Sequence, residues 1–180
     1  PSRLVLAGES AGANLVAGVT IASCWPRPEP YARAIWDRGL RPLAVLPACG
    51  MLQVTDADRF LRRRPDLPGW LNERILSVCR GYLGALPVDG PAGLADPLIE
   101  LEHAAPPERP LPPCLAIVGT RDPILDDTRR LGVAWEKLGG AAEVSIYEGG
   151  VHAFHAFVWQ PAARESWNEQ LTFLERHVPR

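Results

Sequence analysis

Continuous apolar stretches alternate with amphipathic stretches along this sequence. Four short stretches predict strands, at roughly residues 2–7, 42–48, 113–119 and 142–147, and the continuous apolar run over 42–48 is typical of a strand buried on both faces. Apolar positions at helical spacing, bounded by Pro or Gly, predict helices over 11–24, 30–37, 126–139 and 161–177. Because strands that alternate with helices of this size form parallel sheets, the pattern predicts an α/β fold with a partial, doubly wound parallel sheet of about four strands.

The segment over residues 49–99 fits this alternation least. It holds the basic residues Arg59 and Arg62–Arg64, and then a helix that ends near Leu83. We predict an insert over 49–99, near the mouth of the active site, within one partial domain over 1–180. The arginines are most simply a solvated helix face, and recognition of an anionic substrate is the alternative.

Two further features belong to the insert, and two others lie after it in the sequence. Trp70 and Leu71 are candidates for lining a substrate pocket, although they equally fit a role in docking the insert itself. Asp96-Pro97-Leu98 predicts a turn at the edge of the site. The stretch 104–113 holds five prolines in ten residues and predicts a surface linker into the third strand. In the last helix, Trp167, Leu171 and Leu174 recur at helical spacing, which predicts an amphipathic helix.

The first predicted strand runs directly into Gly-Glu-Ser-Ala-Gly at residues 8–12. A strand, a sharp turn and a helix in immediate succession form a nucleophile elbow, in which a strained serine projects into a cleft. The motif predicts Ser10 as a nucleophile, with Gly8 and Gly12 at positions where a Cβ atom would collide with neighbouring backbone. It also predicts that the backbone N–H of Ala11 faces a developing oxyanion. A serine in a glycine-rich turn is the alternative, so the assignment depends on a base and an acid elsewhere.

A base for this serine is predicted on the loop after the fourth strand. Gly149-Gly150 precedes His152, and the glycine pair favours this residue because a flexible loop frees its imidazole to point at Ser10. His155 is the rival, three residues further on. The two other histidines, His103 and His177, are predicted at the surface.

An acid is predicted in the turn after the third strand. Asp122 follows that strand at once, where its side chain can reach across the end of the sheet. Asp126 and Asp127 fall at the start of the next helix, and a cap or first-turn role accounts for them. Serine, aspartate and histidine therefore follow one another in the chain order of an α/β-hydrolase triad, each on a loop after a strand.

Three stretches resemble the hormone-sensitive-lipase-like branch of the α/β-hydrolase esterases. They are Gly-Glu-Ser-Ala-Gly-Ala-Asn-Leu at 8–15, Asp-Pro-Ile-Leu-Asp-Asp at 122–127 and Val-His-Ala-Phe at 151–154. The resemblance implies an α/β-hydrolase fold with Ser10 as nucleophile, Asp122 as orienting acid and His152 as general base. It further implies a lipase-like serine hydrolase that cleaves esters of short- to medium-chain acids through an acyl-enzyme. A peptidase or amidase on the same fold, or a non-catalytic ligand-binding member, are the alternatives.

Two small differences and one large one separate the sequence from that family pattern. Glu9 and Ala13 stand where the family usually has Asp and Gly, and neither side chain takes part in proton transfer. Family members also carry a His-Gly-Gly-type loop before the elbow, which supplies oxyanion N–H groups, and no such loop precedes Ser10 here. We therefore expect the sequence to be the C-terminal portion of a longer enzyme, and to be a poor catalyst by itself.

Composition narrows the range of partners. The net charge is −2 and 22% of residues are charged, which does not favour a nucleic acid or an anionic membrane surface as partner. No apolar run approaches the ~20 residues that span a bilayer. The four cysteines have no metal-binding spacing, so we predict no metal and no cofactor, and they favour a reducing cytoplasm. The expected partner is a small-molecule ester substrate; the sequence leaves the oligomeric state open.

Overall fold

A computed structural model describes residues 3–85 and 92–179 of the chain. Residue 2 of the first predicted strand and residues 86–91 of the predicted insert lie outside the described residues. The strands are β1 (Val5–Glu9), β2 (Ala44–Ala48), β3 (Cys114–Gly119) and β4 (Ala142–Tyr147). The helices are α1 (Ala11–Cys24), α2 (Pro30–Asp37), α3 (Asp58–Arg63), α4 (Gly69–Leu83), α5 (Pro97–His103), α6 (Leu125–Lys137) and α7 (Pro161–His177).

The four strands form one parallel sheet in the order β1-β2-β3-β4. Val5 lies opposite Ala44 in the register of the first pair, and Cys114 lies opposite Ala142 in that of the last. The predicted α/β fold with a parallel sheet is confirmed. Because all strands run the same way, the loops that follow them meet at one edge of the sheet, where ligands bind in open α/β folds.

Helices cover both faces of the sheet. Alternate side chains of β2 and β3 point to opposite sides, as the pleat requires. Val45 and Ala116 share a core with residues of α1, α5 and α6, whereas Leu46 and Ile117 pack with Phe173 of α7 on the other face. The central strands are therefore buried on both faces, in agreement with their continuous apolar sequence.

The observed helices and strands differ from the predicted ones in several places, among them the first strand, residues 96–98 and the buried face of α7. The first strand begins at Val5 and ends at Glu9, later than predicted. The turn predicted at 96–98 is instead the start of α5, because Pro97 occupies the first helical position, where its missing N–H costs nothing. In α7 the buried face contains Phe173, which is 1% exposed, whereas Trp167 and Leu171 are 44% and 57% exposed.

Helices α3 and α4 lie over the loop edge of the sheet. Phe60, Ile75 and Cys79 of these helices pack in a third apolar cluster against Met51 and Ile124, which belong to the loops after β2 and β3. The predicted insert thus contributes a small core of its own beside the ends of the strands. Within residues 3–85 and 92–179, none of the helices has the length and hydropathy needed to cross a membrane.

Candidate active site

Ser10 occupies a strained turn between β1 and α1. Its backbone φ is 55° and ψ is −114°, in a region that residues other than glycine rarely adopt. The N–H of Ser10 donates to the carbonyl of Ala48 (2.9 Å), and its carbonyl accepts from the N–H groups of Asn14 and Met51 (both 3.3 Å). Three hydrogen bonds from the surrounding backbone therefore hold the strained conformation in place.

The two glycines beside Ser10 do not have the same role. A Cβ atom at Gly8 would lie 2.4 Å from the carbonyl oxygen of Gly12, so the predicted collision is confirmed at this position. A Cβ atom at Gly12 would meet no heavy atom within 4 Å, so the prediction is wrong there. The Cα of Gly8 lies close to the backbone of Gly12. Gly8 therefore has no room for a side chain, whereas Gly12 has room.

Asp122 lies in the turn after β3 and is fully buried. Its N–H donates to the carbonyl of Gly119 (3.1 Å), and its Oδ1 accepts from the N–H of Ile124 (3.0 Å). The backbone thus fixes the carboxylate on one side, and its second oxygen remains free for a partner across the edge of the sheet.

His152 lies between the other two side chains. Its Nδ1 is 2.9 Å from Oδ2 of Asp122, and its Nε2 is 3.1 Å from Oγ of Ser10. Asp122 can only accept when ionised, so Nδ1–H donates to it and Nε2 is left to accept from the serine hydroxyl. Burial lowers the pKa of His152, but the hydrogen bond and charge of Asp122, together with the charge of Glu9, outweigh burial and raise it.

The two glycines before His152 differ in role: Gly150 is closely packed, whereas Gly149 has open space and a positive φ of 72°. A Cβ atom at Gly119 would lie 2.0 Å from the carbonyl oxygen of Gly150, so the loops after β3 and β4 touch at their backbones. That same carbonyl accepts from the N–H of Arg121 (2.9 Å), and the N–H of Gly149 donates to Oγ1 of Thr120 (2.9 Å). These backbone contacts give a reason for the position of His152, and the predicted flexibility of the loop stays a prediction.

The other three histidines lie outside the hydrogen bonds that connect Ser10, His152 and Asp122. His155 is 5% exposed, and its Nε2 is 2.9 Å from Oε2 of Glu9, the residue before Ser10. Trp167 holds the same turn, because its indole N–H donates to the carbonyl of His155 (2.9 Å). His103 and His177 are the last residues of α5 and α7.

Cys49 lies beside Asp122 and His152, and the three side chains are potential metal ligands. The side-chain donor atoms of Cys49, Asp122 and His152 all lie within 4.8 Å of one another, a spacing that could hold a metal ion. Burial, reinforced by the charge of Asp122, raises the pKa of the Cys49 thiol, which opposes the thiolate form that metals bind. Both ring nitrogens of His152 are also already hydrogen-bonded. The arrangement therefore fits proton transfer better than metal binding.

Comparison with known proteins agrees with this geometry. A family profile described as alpha/beta hydrolase fold matches residues 1–156. The chain belongs to the alpha/beta hydrolase fold family. A search of curated protein sequences finds no match.

Solved structures with the same fold include several bacterial esterases. An esterase from the bacterial hormone-sensitive lipase family has a TM-score of 0.76 and 24% identity, covering 97% of this chain and 53% of its own. An esterase/lipase from an uncultured bacterium has a TM-score of 0.70 and 23% identity, covering 97% and 53%. Esterase E25 has a TM-score of 0.73 and 24% identity, covering 97% and 49%. The chain thus spans about half the length of these structures, and the likeness establishes the fold.

A cavity of about 600 Å³ opens beside Ser10 and His152 in this alpha/beta hydrolase. Leu71 belongs to its wall, as do Leu67, Ile75 and Val78 from the same segment of the chain. Trp70 is absent from the described wall and is 70% exposed, so its predicted place in a pocket is wrong. On the helix α4, Leu71 turns toward the apolar cluster while its neighbour Trp70 faces away.

The arginines of the predicted insert are not one solvated face. Arg59 is only 15% exposed at its side chain and pairs with Asp127 at 2.7 Å. Its guanidinium also donates to the carbonyl of Gln53 (2.6 Å). Arg62 does fit the prediction, since it pairs with Asp56 at the surface. The prediction of a solvated face is therefore wrong for Arg59, which is a partly buried structural cation.

Two buried carboxylates shape the site through partners that have no signal in the sequence. Asp127 is 1% exposed and accepts from the N–H groups of Leu52 (3.0 Å) and Gln53 (3.2 Å). Asp96 is 3% exposed and accepts from the backbone N–H of Thr55 (3.1 Å) and from its hydroxyl. Together they hold the loop after β2. A helix-start position predicted for Asp127 is correct, but its partners come from about 70 residues away.

Proposed function

We propose that this chain is the catalytic part of a serine hydrolase that cleaves carboxylic esters. The observation that carries the proposal is the continuous hydrogen-bonded line from Oγ of Ser10 through His152 to the buried Asp122, at 3.1 and 2.9 Å. A serine hydroxyl is weakly nucleophilic at its own pKa and needs a base in contact, which an acid in turn orients. The three side chains supply these roles at hydrogen-bond distance.

In the proposed first step, Oγ of Ser10 attacks the ester carbonyl while Nε2 of His152 takes the hydroxyl proton. The new C–O bond places the carbonyl electron pair on oxygen, giving a tetrahedral oxyanion. When that oxyanion collapses, the alkoxide leaves and receives the proton from His152, and the acyl group stays on Ser10. Water then repeats the sequence, with His152 again as base and then as acid, and releases the carboxylic acid. Asp122 holds the imidazole tautomer and stabilises the imidazolium.

The N-terminus of α1 supports oxyanion stabilisation at the same place. Ala11 is the first residue of the helix, and the first N–H groups of an α-helix have no acceptor within it. The backbone N–H of Ala11 is thus proposed as one oxyanion donor, reinforced by the positive end of the helix dipole. One such donor is worth about 10²–10³ in kcat.

The size and lining of the cavity support short- to medium-chain acyl groups. Its volume of about 600 Å³ exceeds that of a small ester, and apolar side chains from α4 and the segment before it form much of its wall. Apolar walls favour aliphatic substituents because burial of each CH₂ contributes about 0.8 kcal/mol. The four cysteines are all free and buried, which supports a reducing compartment such as the cytoplasm.

The experiment uses the complete polypeptide that the gene encodes, because the chain spans about half of the related structures. Hydrolysis of p-nitrophenyl acetate, butyrate and octanoate is measured for the wild type, for Ser10→Ala and for Ser77→Ala, an exposed serine of α4 as matched control. We expect Ser10→Ala to lose about 10³-fold or more in kcat and Ser77→Ala to stay within twofold.

Covalent labelling gives a second, independent readout. A fluorophosphonate should modify the wild type at Ser10 and leave Ser10→Ala unmodified, which peptide mass spectrometry determines. Ester turnover that survives in Ser10→Ala would refute the proposal. Labelling at Ser10 without ester turnover would move the assignment to amide or peptide substrates, and absence of both in a folded protein would favour a ligand-binding role.

A further inference from the structure

The wall of the cavity beside Ser10 and His152 carries an excess of positive charge. Among its described lining residues, Arg64, Arg74 and Arg121 bear guanidinium groups and Asp66 bears a carboxylate. The rest of the wall is mainly apolar. The chain as a whole has a net charge of −2, so the cavity has the opposite sign to the molecule around it.

Asp66 and Arg64 neutralise one another. Nε and Nη2 of Arg64 donate to the two oxygens of Asp66, both at 2.8 Å, and this pairing lowers the pKa of Asp66 to about 2. Nη1 of Arg64 also donates to the carbonyl of Arg121 (3.2 Å). Asp66 therefore neutralises the charge of Arg64. Because Arg64 follows the last residue of α3, its hydrogen bond connects the end of α3 to the turn that carries Arg121.

Of the three arginines in this wall, Arg74 and Arg121 have no acidic partner among residues 3–85 and 92–179. They come from different parts of the structure, Arg74 from α4 and Arg121 from the turn after β3, next to Asp122. Both side chains line the cavity that contains Ser10. Like charges brought to one cavity repel each other, and an anion between them would remove that repulsion.

We propose that the substrate is an ester bearing a second, anionic group, a carboxylate that Arg74 and Arg121 bind while the ester carbonyl lies at Ser10. This inference rests on the proposed function and adds the class of substrate. Leu67, Leu71 and Ile75 pack against the aliphatic part between the two ends. A guanidinium fits the planar carboxylate with two parallel hydrogen bonds, which gives orientation as well as attraction.

The carboxylate can belong to either side of the ester, and two substrate pairs distinguish the sources. On the acyl side, mono-4-nitrophenyl adipate is compared with 4-nitrophenyl hexanoate, which has the same chain length without the charge. On the alcohol side, 4-carboxyphenyl butyrate is compared with phenyl butyrate. The measured quantity is the kcat/KM of the anionic ester divided by that of the neutral ester, in the complete polypeptide. Comparing this ratio between variants cancels the difference in chemical reactivity between the two esters.

The variants are Arg74→Gln, Arg121→Gln and their combination. Arg80→Gln is the matched control, since Arg80 is exposed on the same helix as Arg74 and lies outside the cavity wall. We expect each single change to lower the ratio for one substrate pair by about 2- to 5-fold, and the combination by about 4- to 25-fold, because both arginines are exposed and an exposed charge pair contributes modestly. Arg80→Gln should stay within twofold.

The dependence of this ratio on ionic strength separates an effect of arginine charge from an effect of cavity shape. Raising the ionic strength from about 0.02 M to about 0.5 M should lower the wild-type ratio several-fold and leave the double variant unchanged, because salt screens exposed charges. Ratios that are equal in the wild type and the double variant for both substrate pairs would overturn the inference, as would an equal effect of Arg80→Gln. Absence of all ester hydrolysis and of labelling at Ser10 would instead overturn the proposed function, and this inference with it.

Discussion

Replacing Asp127 with Asn should destabilise the protein far more than the same change one residue earlier. Asp127 is 1% exposed and pairs with Arg59, whose side chain is 15% exposed, whereas Asp126 is 52% exposed and pairs with Arg63 and Arg129 at the surface. Burial raises the pKa of the Asp127 carboxyl against the opposing charge of Arg59. The N–H groups of Leu52, Gln53 and Arg59 around it are all donors, which match a carboxylate ionised at neutral pH.

The magnitude follows from what the amide leaves behind. With its oxygen at the place of Oδ2, Asn keeps the N–H groups of Leu52 and Gln53, but its NH₂ group then replaces Oδ1 and faces the guanidinium of Arg59, which loses its counter-charge. Removing one member of a buried pair costs about 3–5 kcal/mol. Because Asn conserves volume, we take about 3 kcal/mol, which lowers Tm by about 6–12 °C in a domain of this size. For Asp126→Asn, an exposed pair predicts about 0–1 kcal/mol.

Thermal and urea unfolding of the complete polypeptide measure both variants side by side. A double-mutant cycle with Arg59→Gln adds a test of the cause: if the pair is the reason, Arg59→Gln together with Asp127→Asn should cost little more than Asp127→Asn alone. Equal unfolding midpoints for the Asp126 and Asp127 variants would refute the reasoning, and so would additive losses in the cycle.

Two further predictions concern the site itself. Gly8→Ala should cost about 1–3 kcal/mol through overpacking and lower ester turnover at least tenfold, whereas Gly12→Ala, which has open space for a methyl group, should change neither by much; equal effects in turnover and unfolding assays would contradict this. Since His152 must be neutral to accept the proton and its pKa is raised, kcat/KM should fall as the pH drops through a value above that of a free histidine. Glu9→Gln removes one of the charges that raise this pKa, so this acid limb should move to lower pH; an unmoved or upward-shifted limb would disprove it.

Two helices could be predicted to their exact bounds because proline marks where they begin. Pro30 and Pro161 occupy the first turns of α2 and α7, and both helices have the predicted bounds. Pro97 has the same position in α5, yet that helix was predicted as a turn. A proline after aspartate fits either structure locally. The burial of Leu98 and Leu101 against distant helices decides in favour of a helix, and that contact is not visible in the local sequence.

The line of hydrogen bonds at the site could be predicted because each member follows a strand. In a parallel sheet all such loops meet at one edge, so residues separated by 142 positions, as Ser10 and His152 are, come into contact without any local signal of their pairing. The role of the glycines in the loops after β3 and β4 was not predicted from the sequence. The glycines near His152 were predicted to give freedom, and the structure uses Gly119 and Gly150 to bring two backbones together.

Asp122 and Asp127 are the same residue type, five positions apart, and both are buried. Their difference comes entirely from what faces them. A histidine that remains 39% exposed at its side chain faces Asp122, so a proton can pass between that histidine and a ligand in the cavity. An arginine, which does not release its proton, faces Asp127, so this carboxylate can only hold structure. The chemistry of a buried carboxylate therefore has to be argued from the side chain that the fold places against it.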